Sequence, residues 1–214
     1  MRQKLALCIM MHIVSLPLIL LIIIAIIAII GNSISDRSSQ EYERPEERAG
    51  REGEYIAINI IRRVLRNGDV LLTNVDISYD GRKAELDNVI INKYGVFIIE
   101  VKNYAGTIYG KTDDYTWIKC KTDPYGNTFT KTVRNPIKQV NRQVYLLARH
   151  LEEYGFYVWV EGYAFFVQGN SPVWCKEVLG SSNDIDKAVH TFNKNRLSVS
   201  DIESIKAILL DSCR

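Results

Sequence analysis

The sequence is poor in the residues that build thiolate and imidazole metal sites. It has four cysteines and three histidines in 214 residues, and no two cysteines are spaced as in a Cys-x-x-Cys pair. A disulfide framework and a thiolate zinc site are therefore not indicated. An excess of one charge is also missing, because 27 basic residues stand against 25 acidic residues. This balance excludes a globally basic nucleic-acid binder.

Charged residues are also absent from one long stretch near the start of the chain. Residues 5–30 contain no Asp, Glu, Lys or Arg, and a helix of that length would extend about 39 Å. A bilayer core is about 30 Å thick, so the sequence predicts one transmembrane helix, preceded by residues 1–4 as a short flank. The alternative is a cleaved signal peptide, favoured by Arg2 and Lys4. Against it, the apolar run is about twice the usual length and no Ala-x-Ala site follows.

The polar residues 31–47 are predicted to form a tether between the membrane and a globular part. Basic residues flank the apolar run on both sides, so the positive-inside rule does not decide the orientation. With Cys8 in the membrane, three cysteines remain for the globular part, and an odd number of free thiols fits a reducing compartment. The sequence thus favours a single-pass membrane protein whose globular part faces the cytoplasm.

The stretch 84–101 is predicted to form a β-hairpin. Its two halves, 84–91 and 96–101, are rich in β-branched and aliphatic residues, and the segment between them ends in Gly95, which suits a turn. A two-residue loop can lie at Lys93-Tyr94 or one residue later. A three-residue loop without a bulge would put the polar side chains of the two strands on different faces.

Two carboxylates and a lysine are spaced to meet on one face of this hairpin. Glu100 and Lys102 share a face because strand side chains alternate, and either two-residue loop brings Asp87 opposite one of them. Carboxylate oxygens suit Mg²⁺ or Mn²⁺, and a neighbouring lysine can orient or deprotonate water and offset transition-state charge. The combination indicates metal-dependent cleavage of a phosphodiester. The alternative is an amphipathic hairpin with a solvated face of alternating charge.

Further motifs accompany this hairpin along the chain. They are Gly50-x-x-Gly53-Glu54, Glu85-x-Asp87, Gly95-Val-Phe-x-Ile-Glu100-Val-Lys102-Asn-Tyr104, Trp117 and Asn135-Pro136-x-x-Gln139. In order and spacing they resemble the nuclease-related domain (NERD) family, a relative of the PD-(D/E)XK endonuclease-like superfamily, over roughly residues 48–165. The resemblance implies an α/β fold with a mixed β-sheet flanked by helices, and residues 166–214 would complete the same domain. One departure is Leu86, where the wider superfamily often has proline.

The resemblance also implies roles for individual residues. A metal ion, Mg²⁺ or Mn²⁺, would be held by two carboxylates and a backbone carbonyl, a lysine would serve the water, and two polar side chains would line the site from flanking helices. The metal ligands would be Asp87, Glu100 and the carbonyl of Val101. The other catalytic residues would be Lys102, Glu54 and Gln139. An alternative for Glu54 is a carboxylate that only stabilises the N-terminus of a helix predicted over 52–66.

Basic residues concentrate in residues 119–149, which carry seven of them against one acid, Asp123. Such a strip can follow the phosphates of a nucleic acid, and neighbouring aromatic residues can stack on bases. The alternatives are the charged outer face of a surface helix that starts at Pro136 and, for the aromatic residues, local core. The candidate nucleic-acid-binding residues are Lys119, Lys121, Lys131, Arg134, Lys138 and Arg142. The candidate stacking residues are Tyr115, Trp117, Tyr125 and Phe129.

Two functions from different classes agree with these patterns. The first is a membrane-anchored, metal-dependent nuclease, with DNA as the expected substrate and RNA as the alternative. The second is a non-catalytic, membrane-anchored module that binds nucleic acid or regulates a partner while keeping the fold. Retention of Asp87, Glu100 and Lys102 favours the first.

Overall fold

The computed structural model describes residues 44–191 and 196–211. The predicted flank at residues 1–4, the predicted membrane helix at 5–30 and most of the predicted tether lie outside the described residues. Within residues 44–191 and 196–211, no helix is both long and apolar enough to cross a lipid bilayer.

The described residues form four helices and eight strands. In sequence order they are α1 (Pro45–Val64), β1 (Val70–Tyr79), β2 (Arg82–Asn92), β3 (Gly95–Lys102), β4 (Thr107–Tyr109), β5 (Thr116–Thr122), β6 (Thr128–Arg134), α2 (Pro136–Glu153), β7 (Val160–Phe166), β8 (Val178–Leu179), α3 (Ser182–His190) and α4 (Val199–Asp211). The first helix begins at Pro45 instead of the predicted residue 52. Proline is favoured at the first position of a helix, and Glu46 and Glu47 complement the helix dipole in the first turn.

A mixed five-stranded sheet forms the centre of the fold, in the order β1-β2-β3-β7-β8. The first three strands are antiparallel neighbours, whereas β7 runs parallel to β3, and β8 runs parallel to β7. A parallel connection needs a long crossover, and the chain between β3 and β7 supplies it with β4 to β6 and α2. The predicted α/β class with a mixed sheet and flanking helices is confirmed.

Helices cover both faces of the central sheet. On one face α2 and α4 pack through Leu147 and Ile205. On the other face α1 and α3 pack through Ile61 and Ile185. Because both faces are covered, every residue over 95–101 is buried. This explains why the sequence of β3 is an almost unbroken run of apolar residues.

The hairpin of β2 and β3 has the loop Lys93-Tyr94, one of the two predicted arrangements. Asn92 pairs with Gly95 across this loop, and Gly95 has a φ of 148°, which other residues rarely adopt. The register of this pairing, continued along the strands, brings Asp87 opposite Glu100. The turn chemistry therefore sets which polar side chains meet.

Strands β4, β5 and β6 form a second, antiparallel sheet that the sequence analysis did not predict. Trp117 anchors this small sheet, because its ring is fully buried and stacks on Phe166 with the centroids 6.0 Å apart. Its indole N–H donates to the carbonyl of Lys111 at 2.8 Å. Gly110 permits this packing, since a Cβ there would lie 2.1 Å from the indole ring. Trp117 therefore belongs to the core and is not available for stacking on bases.

Helix α2 starts at Pro136, as predicted, and Asn135 is its cap. Oδ1 of Asn135 accepts a hydrogen bond from the N–H of Ile137 at 2.9 Å. The amide of the same buried side chain donates to the carbonyls of Thr112 and Asp114 at 3.0 and 2.7 Å. Asn135 thus joins the small sheet to the start of α2 and fixes where the first turns of α2 meet β3.

Candidate active site

Followed from the hairpin loop back towards the start of β2, the backbone pairing with β3 stops one residue short of Asp87. The last backbone pair joins Asn88 to Ile99. Beyond this pair, the N–H of Val101 donates to Oδ2 of Asp87 at 2.7 Å. A side chain therefore replaces the backbone partner where the two strands separate, and it holds the Asp87 carboxylate against β3.

Near Asp87, the side chains of β2 also stop alternating regularly between the two faces of the sheet. Leu86 and Val89 both pack in the core that α2 covers, although residues three apart on a regular strand point to opposite faces. On β1, Asn74 stands opposite Asp87 in the strand register and has a φ of 52°. A positive φ is uncommon outside glycine, and such backbone strain is concentrated at functional sites. The first half of β2 consequently pairs with β1 alone, and the sheet opens at Asp87.

Glu100 is almost fully buried and firmly held. Its Oε1 accepts hydrogen bonds from Nζ of Lys102 and from Nε2 of Gln139, both at 2.5 Å. Its Oε2 accepts one from Nε2 of Gln143 at 2.6 Å. One carboxylate thus connects β3 to two consecutive turns of α2, and this contact fixes its orientation.

A cavity of about 700 Å³ opens beside these groups. Five of the residues that the resemblance implies line it: Glu54, Asp87, Glu100, Val101 and Lys102. Helix α1 can approach β3 closely because of Gly53, where a Cβ would lie 2.4 Å from the Cβ of Asn103. The sixth implied residue, Gln139, joins the group through its hydrogen bond to Glu100.

The site carries an excess of negative charge. Burial raises the pKa of Asp87 to about 7, and the charge of Glu100 adds to the rise, while a backbone N–H and the Lys102 ammonium oppose it only in part. The pKa of Glu54 is raised as well, first by burial and then by Glu85 and Glu100. Carboxylates that raise one another's pKa in this way repel each other when charged. A divalent cation that binds between them removes this repulsion and is bound more tightly for that reason.

Lys102 is an ammonium in this environment. Burial acts to lower the pKa of Lys102, but the charge of Glu100 and its hydrogen bond to Lys102, together with Asp87, outweigh it, and the pKa lies above its ordinary value. The side chain can therefore donate hydrogen bonds and balance negative charge. It is not a free amine that takes a proton from water. Of the two predicted roles, this favours orientation of the water and charge balance.

The donor atoms of the site fit a hard divalent cation. Among the described residues, none donates a hydrogen bond to Oδ1 of Asp87, and only one donates to Oε2 of Glu100. The N–H and C=O of one residue point to the same edge of a strand, so the Val101 carbonyl lies on the Asp87 side of β3. Residues 44–191 and 196–211 contain no group of three His, Cys, Asp or Glu side chains arranged as metal ligands. A cation here would depend on two carboxylates, one carbonyl and water.

The six basic residues predicted to bind nucleic acid do not share one surface. Three of them line the cavity: Lys119, Lys121 and Lys131. Arg134 lies on β6 in the same small sheet, but it follows Val133, which packs against the core face. Because side chains alternate along a strand, Arg134 points to the opposite face.

The two candidates on α2 are also separate from the cavity lining. Lys138 is exposed, and the guanidinium of Arg142 donates to the carbonyl of Lys83 at 3.1 Å. All six residues lie close together along the chain, and this proximity is the basis of the prediction. Strand alternation and the direction of α2 divide them, and the structure does not bring Arg134, Lys138 or Arg142 to the site.

The candidate stacking residues divide in the same way. Phe129 is 60% exposed and lines the cavity. Tyr115 and Tyr125 are even more exposed, at 85% and 90%, but they do not line it. Phe129 therefore combines exposure with a position next to the carboxylates.

Comparison with known protein families identifies one match. The family model of the nuclease-related domain matches residues 49–167, which is more than half of the chain. The chain belongs to the nuclease-related domain family. The matched range lies close to residues 48–165, over which the sequence motifs resemble the family. It contains the six residues implied by that resemblance: Glu54, Asp87, Glu100, Val101, Lys102 and Gln139.

Other comparisons add less to this identification. An uncharacterized protein of Bacillus anthracis is 30% identical over 69 residues, which cover 32% of this chain and 32% of that protein. The aligned part thus spans about a third of the length of this relative. No solved structure matches the chain.

One residue of this candidate site is missing from the predicted set. Gln143 is 2% exposed, and its Nε2 donates both to Oε2 of Glu100 and to the carbonyl of Glu85, the latter at 3.0 Å. It thereby links the separated half of β2 to β3. The signal was present, because Gln143 follows Gln139 by one helical turn and so shares its face.

Proposed function

We propose that this protein is a membrane-anchored, Mg²⁺- or Mn²⁺-dependent nuclease that hydrolyses phosphodiester bonds of nucleic acid, with DNA as the expected substrate. The main support is the meeting of Asp87, Glu100 and Lys102 in one cavity of a NERD family member. Two acidic side chains and an ammonium in one cavity are suited to cleavage of a charged ester.

Each side chain has a defined task in this proposal. Asp87, Glu100 and the carbonyl of Val101 would hold the metal ion, which supplies Lewis acidity and an activated water when bound. The ammonium of Lys102 orients the water and stabilises the negative charge that builds up on the phosphate. Gln139 keeps Glu100 in a fixed orientation. Glu54 lies at the wall of the cavity, where its carboxylate can accept a hydrogen bond from water.

One observation favours the second candidate function, a non-catalytic nucleic-acid-binding module. The two oxygens of Glu100 already accept three hydrogen bonds from the protein. An acid so fully engaged can serve as a structural link between β3 and α2. A metal ion would compete with these donors for Glu100, whereas binding of nucleic acid at the cavity needs no such exchange.

A cleavage assay tests the nuclease proposal. The full chain, purified in detergent, is incubated with supercoiled plasmid or single-stranded circular DNA and Mg²⁺ or Mn²⁺. We expect cleavage that EDTA prevents. Asp87→Asn and Lys102→Ala should each reduce the rate by at least about 100-fold, while the exposed controls Asp113→Asn and Lys111→Ala keep it.

Two results would reject the catalytic proposal. One is equal cleavage by the wild type and the Asp87 and Lys102 variants, which would point to a contaminating nuclease. The other is DNA binding without cleavage by any of them, which would support the non-catalytic module. Circular dichroism of each variant excludes unfolding as the cause of a lost activity.

Membrane anchoring is a separate part of the proposal, and residues 5–30 carry it. Their length and lack of charge support a bilayer span, and the free thiols Cys120 and Cys175 agree with a globular part in a reducing cytoplasm. Expressed in bacteria, the full chain should stay in the membrane pellet after carbonate extraction. Deletion of residues 2–30 should move it to the supernatant. Recovery of the full chain in the supernatant would reject the anchor.

A further inference from the structure

The cavity beside Asp87 and Glu100 is a cleft with two different walls. One wall is the start of α1, from Pro45 to Gly50. The other is the face of the small sheet that carries three lysines and one phenylalanine: Lys119, Lys121, Lys131 and Phe129. The carboxylates therefore lie at the bottom of a cleft and not on an open surface.

A contact between two side chains bridges the walls of this cleft. Lys131 of β6 forms an ion pair with Glu46 in the first turn of α1. Both side chains are more than half exposed, so the pair is weak and exchangeable. The two walls of the cleft are therefore in contact at this point, through a pair that an entering anion can exchange.

The lysines of the sheet wall are arranged as a site for an anion. Lys119 and Lys131 are direct cross-strand partners, and like charges in such positions repel. Lys131 is partly neutralised by Glu46, and the ammonium of Lys119 lies 5.4 Å from the centroid of the Tyr104 ring. A phosphate between the two lysines would remove the repulsion more completely.

Phe129 offers a stacking surface beside these charges. It is the cross-strand partner of Lys121, so an ammonium and an exposed ring stand side by side on the same face. Proteins that bind single strands combine a positive groove with aromatic side chains on which bases stack. In a duplex the bases are stacked on one another, and their faces are not available to Phe129.

We propose that this cleft selects unpaired nucleic acid, with one base stacked on Phe129 and the adjoining phosphates on Lys119, Lys121 and Lys131. This inference rests on the proposed function, because it assigns the substrate class of the same site. The strand runs along the small sheet towards the carboxylates. Its phosphate displaces Glu46 from Lys131 as it enters.

A binding experiment without metal tests the inference apart from catalysis. The full chain in detergent and EDTA is titrated into a fluorescein-labelled DNA of 20 nucleotides, either single-stranded or as a blunt duplex, and anisotropy gives the Kd. We expect the single strand to bind at least about 10-fold more tightly. Equal or tighter binding of the duplex would overturn the inference.

Matched variants locate the contacts. Phe129→Ala should weaken binding of the single strand about 10-fold, Phe129→Tyr should restore it, and Tyr125→Ala should leave it within about twofold. Lys121→Ala should lower the salt slope of binding by about one, whereas Arg134→Ala on the opposite face of the sheet should not. Equal effects within either pair would overturn the assignment of this face.

The ion pair and the cleavage assay give two more readouts. Glu46→Gln should strengthen binding of the single strand, because the phosphate no longer competes with a carboxylate, and weaker binding would contradict the exchange. Preferred binding of the single strand without cleavage in Mn²⁺ would support this inference while rejecting the nuclease. Cleavage together with equal affinity for duplex and single strand would support the nuclease and reject the inference that the cleft selects unpaired strands.

Discussion

The carboxylate of Asp87 accepts a hydrogen bond from the N–H of Val101 at 2.7 Å, next to the last backbone pair of β2 and β3. The hydrogen bond does two things at once. It satisfies a strand-edge donor that has lost its backbone partner, and it holds the Asp87 carboxylate beside β3. The opening in the sheet and the position of the acid are therefore one structural feature.

The first prediction concerns the stability of the metal-free protein. Asp87→Asn keeps an oxygen for the Val101 N–H but removes a buried charge. The pKa of Asp87 is raised from 3.8 to about 7 in the folded state, so the wild type loses stability as pH rises between these values. At pH 8 we expect the free energy of unfolding of the variant to exceed that of the wild type by about 2 to 4 kcal/mol.

Urea unfolding in EDTA at pH 8 and pH 5 measures this effect. The gain should shrink at pH 5, where the wild-type carboxyl is protonated in the folded state. Asp113→Asn, an exposed control, should change the stability little at either pH. A gain that is the same at both pH values would show that charge is not its cause.

The second prediction is that metal binding releases a proton. Asp87 must lose its proton to coordinate a cation, and its pKa is about 7. The apparent affinity for Mn²⁺ should therefore fall about tenfold for each pH unit below 7 and level off above it. Isothermal titration calorimetry at pH 6 in buffers of different ionisation enthalpy counts the released proton. An affinity independent of pH between 5.5 and 7 would contradict the role of Asp87.

The third prediction separates the two glutamines of α2. Gln143 is 2% exposed and holds both Glu100 and the carbonyl of Glu85. Gln143→Ala removes the donor to Oε2 of Glu100 and a donor to the Glu85 carbonyl in a place that water reaches poorly, so we expect a loss of about 1 to 3 kcal/mol in unfolding free energy. Gln139→Ala should cost less, since Gln139 is only half-buried and water can replace it.

Both glutamine variants should also lower the cleavage rate, because Glu100 loses a fixed orientation in each. Urea unfolding and single-turnover kinetics measure the two effects separately. A cleavage rate unchanged in Gln143→Ala would remove this residue from the site and leave it a structural role only.

The fourth prediction uses two glycines of α1 as a matched pair. A Cβ at Gly53 would lie 2.4 Å from the Cβ of Asn103, whereas a Cβ at Gly50 would meet nothing within 4 Å. Gly53→Ala should cost about 1 to 3 kcal/mol, because α1 must move away from β3. Gly50→Ala should stabilise the helix by up to about 1 kcal/mol.

Thermal unfolding of both glycine variants measures this difference. Cleavage should fall in Gly53→Ala, since the shift of α1 carries Glu54 away from the cavity. Equal stability of the two variants would mean that α1 does not pack on Asn103 as described.

The hairpin is the part of the site that local sequence predicted best. The pattern around Gly95 offered two positions for a two-residue loop, besides a three-residue loop, and Lys93-Tyr94 proved to be the loop. A turn and two apolar strands are local features, so composition and alternation are enough to specify them. The same holds for Asn135 and Pro136 at the start of α2, where a side chain caps a helix only two residues away.

The basic residues show the limit of such reasoning. Lys131 and Arg134 are three residues apart, yet one lines the cavity and the other lies on the opposite face of the small sheet. That sheet depends on Trp117 packing against Phe166, a contact between residues about fifty positions apart that periodicity does not reveal. Without the sheet, its faces could not be assigned.

By itself the sequence determined the family, the α/β class and the set of acids and lysine that meet at the hairpin, because each depends on local patterns or on motifs in a fixed order. Only the tertiary structure decided that β2 leaves β3 at Asp87, that Gln143 spans the gap, and that α1 and the small sheet enclose a cleft. Those features arise from packing between distant segments. Such packing depends on shape and burial in three dimensions, which the order of residues does not display.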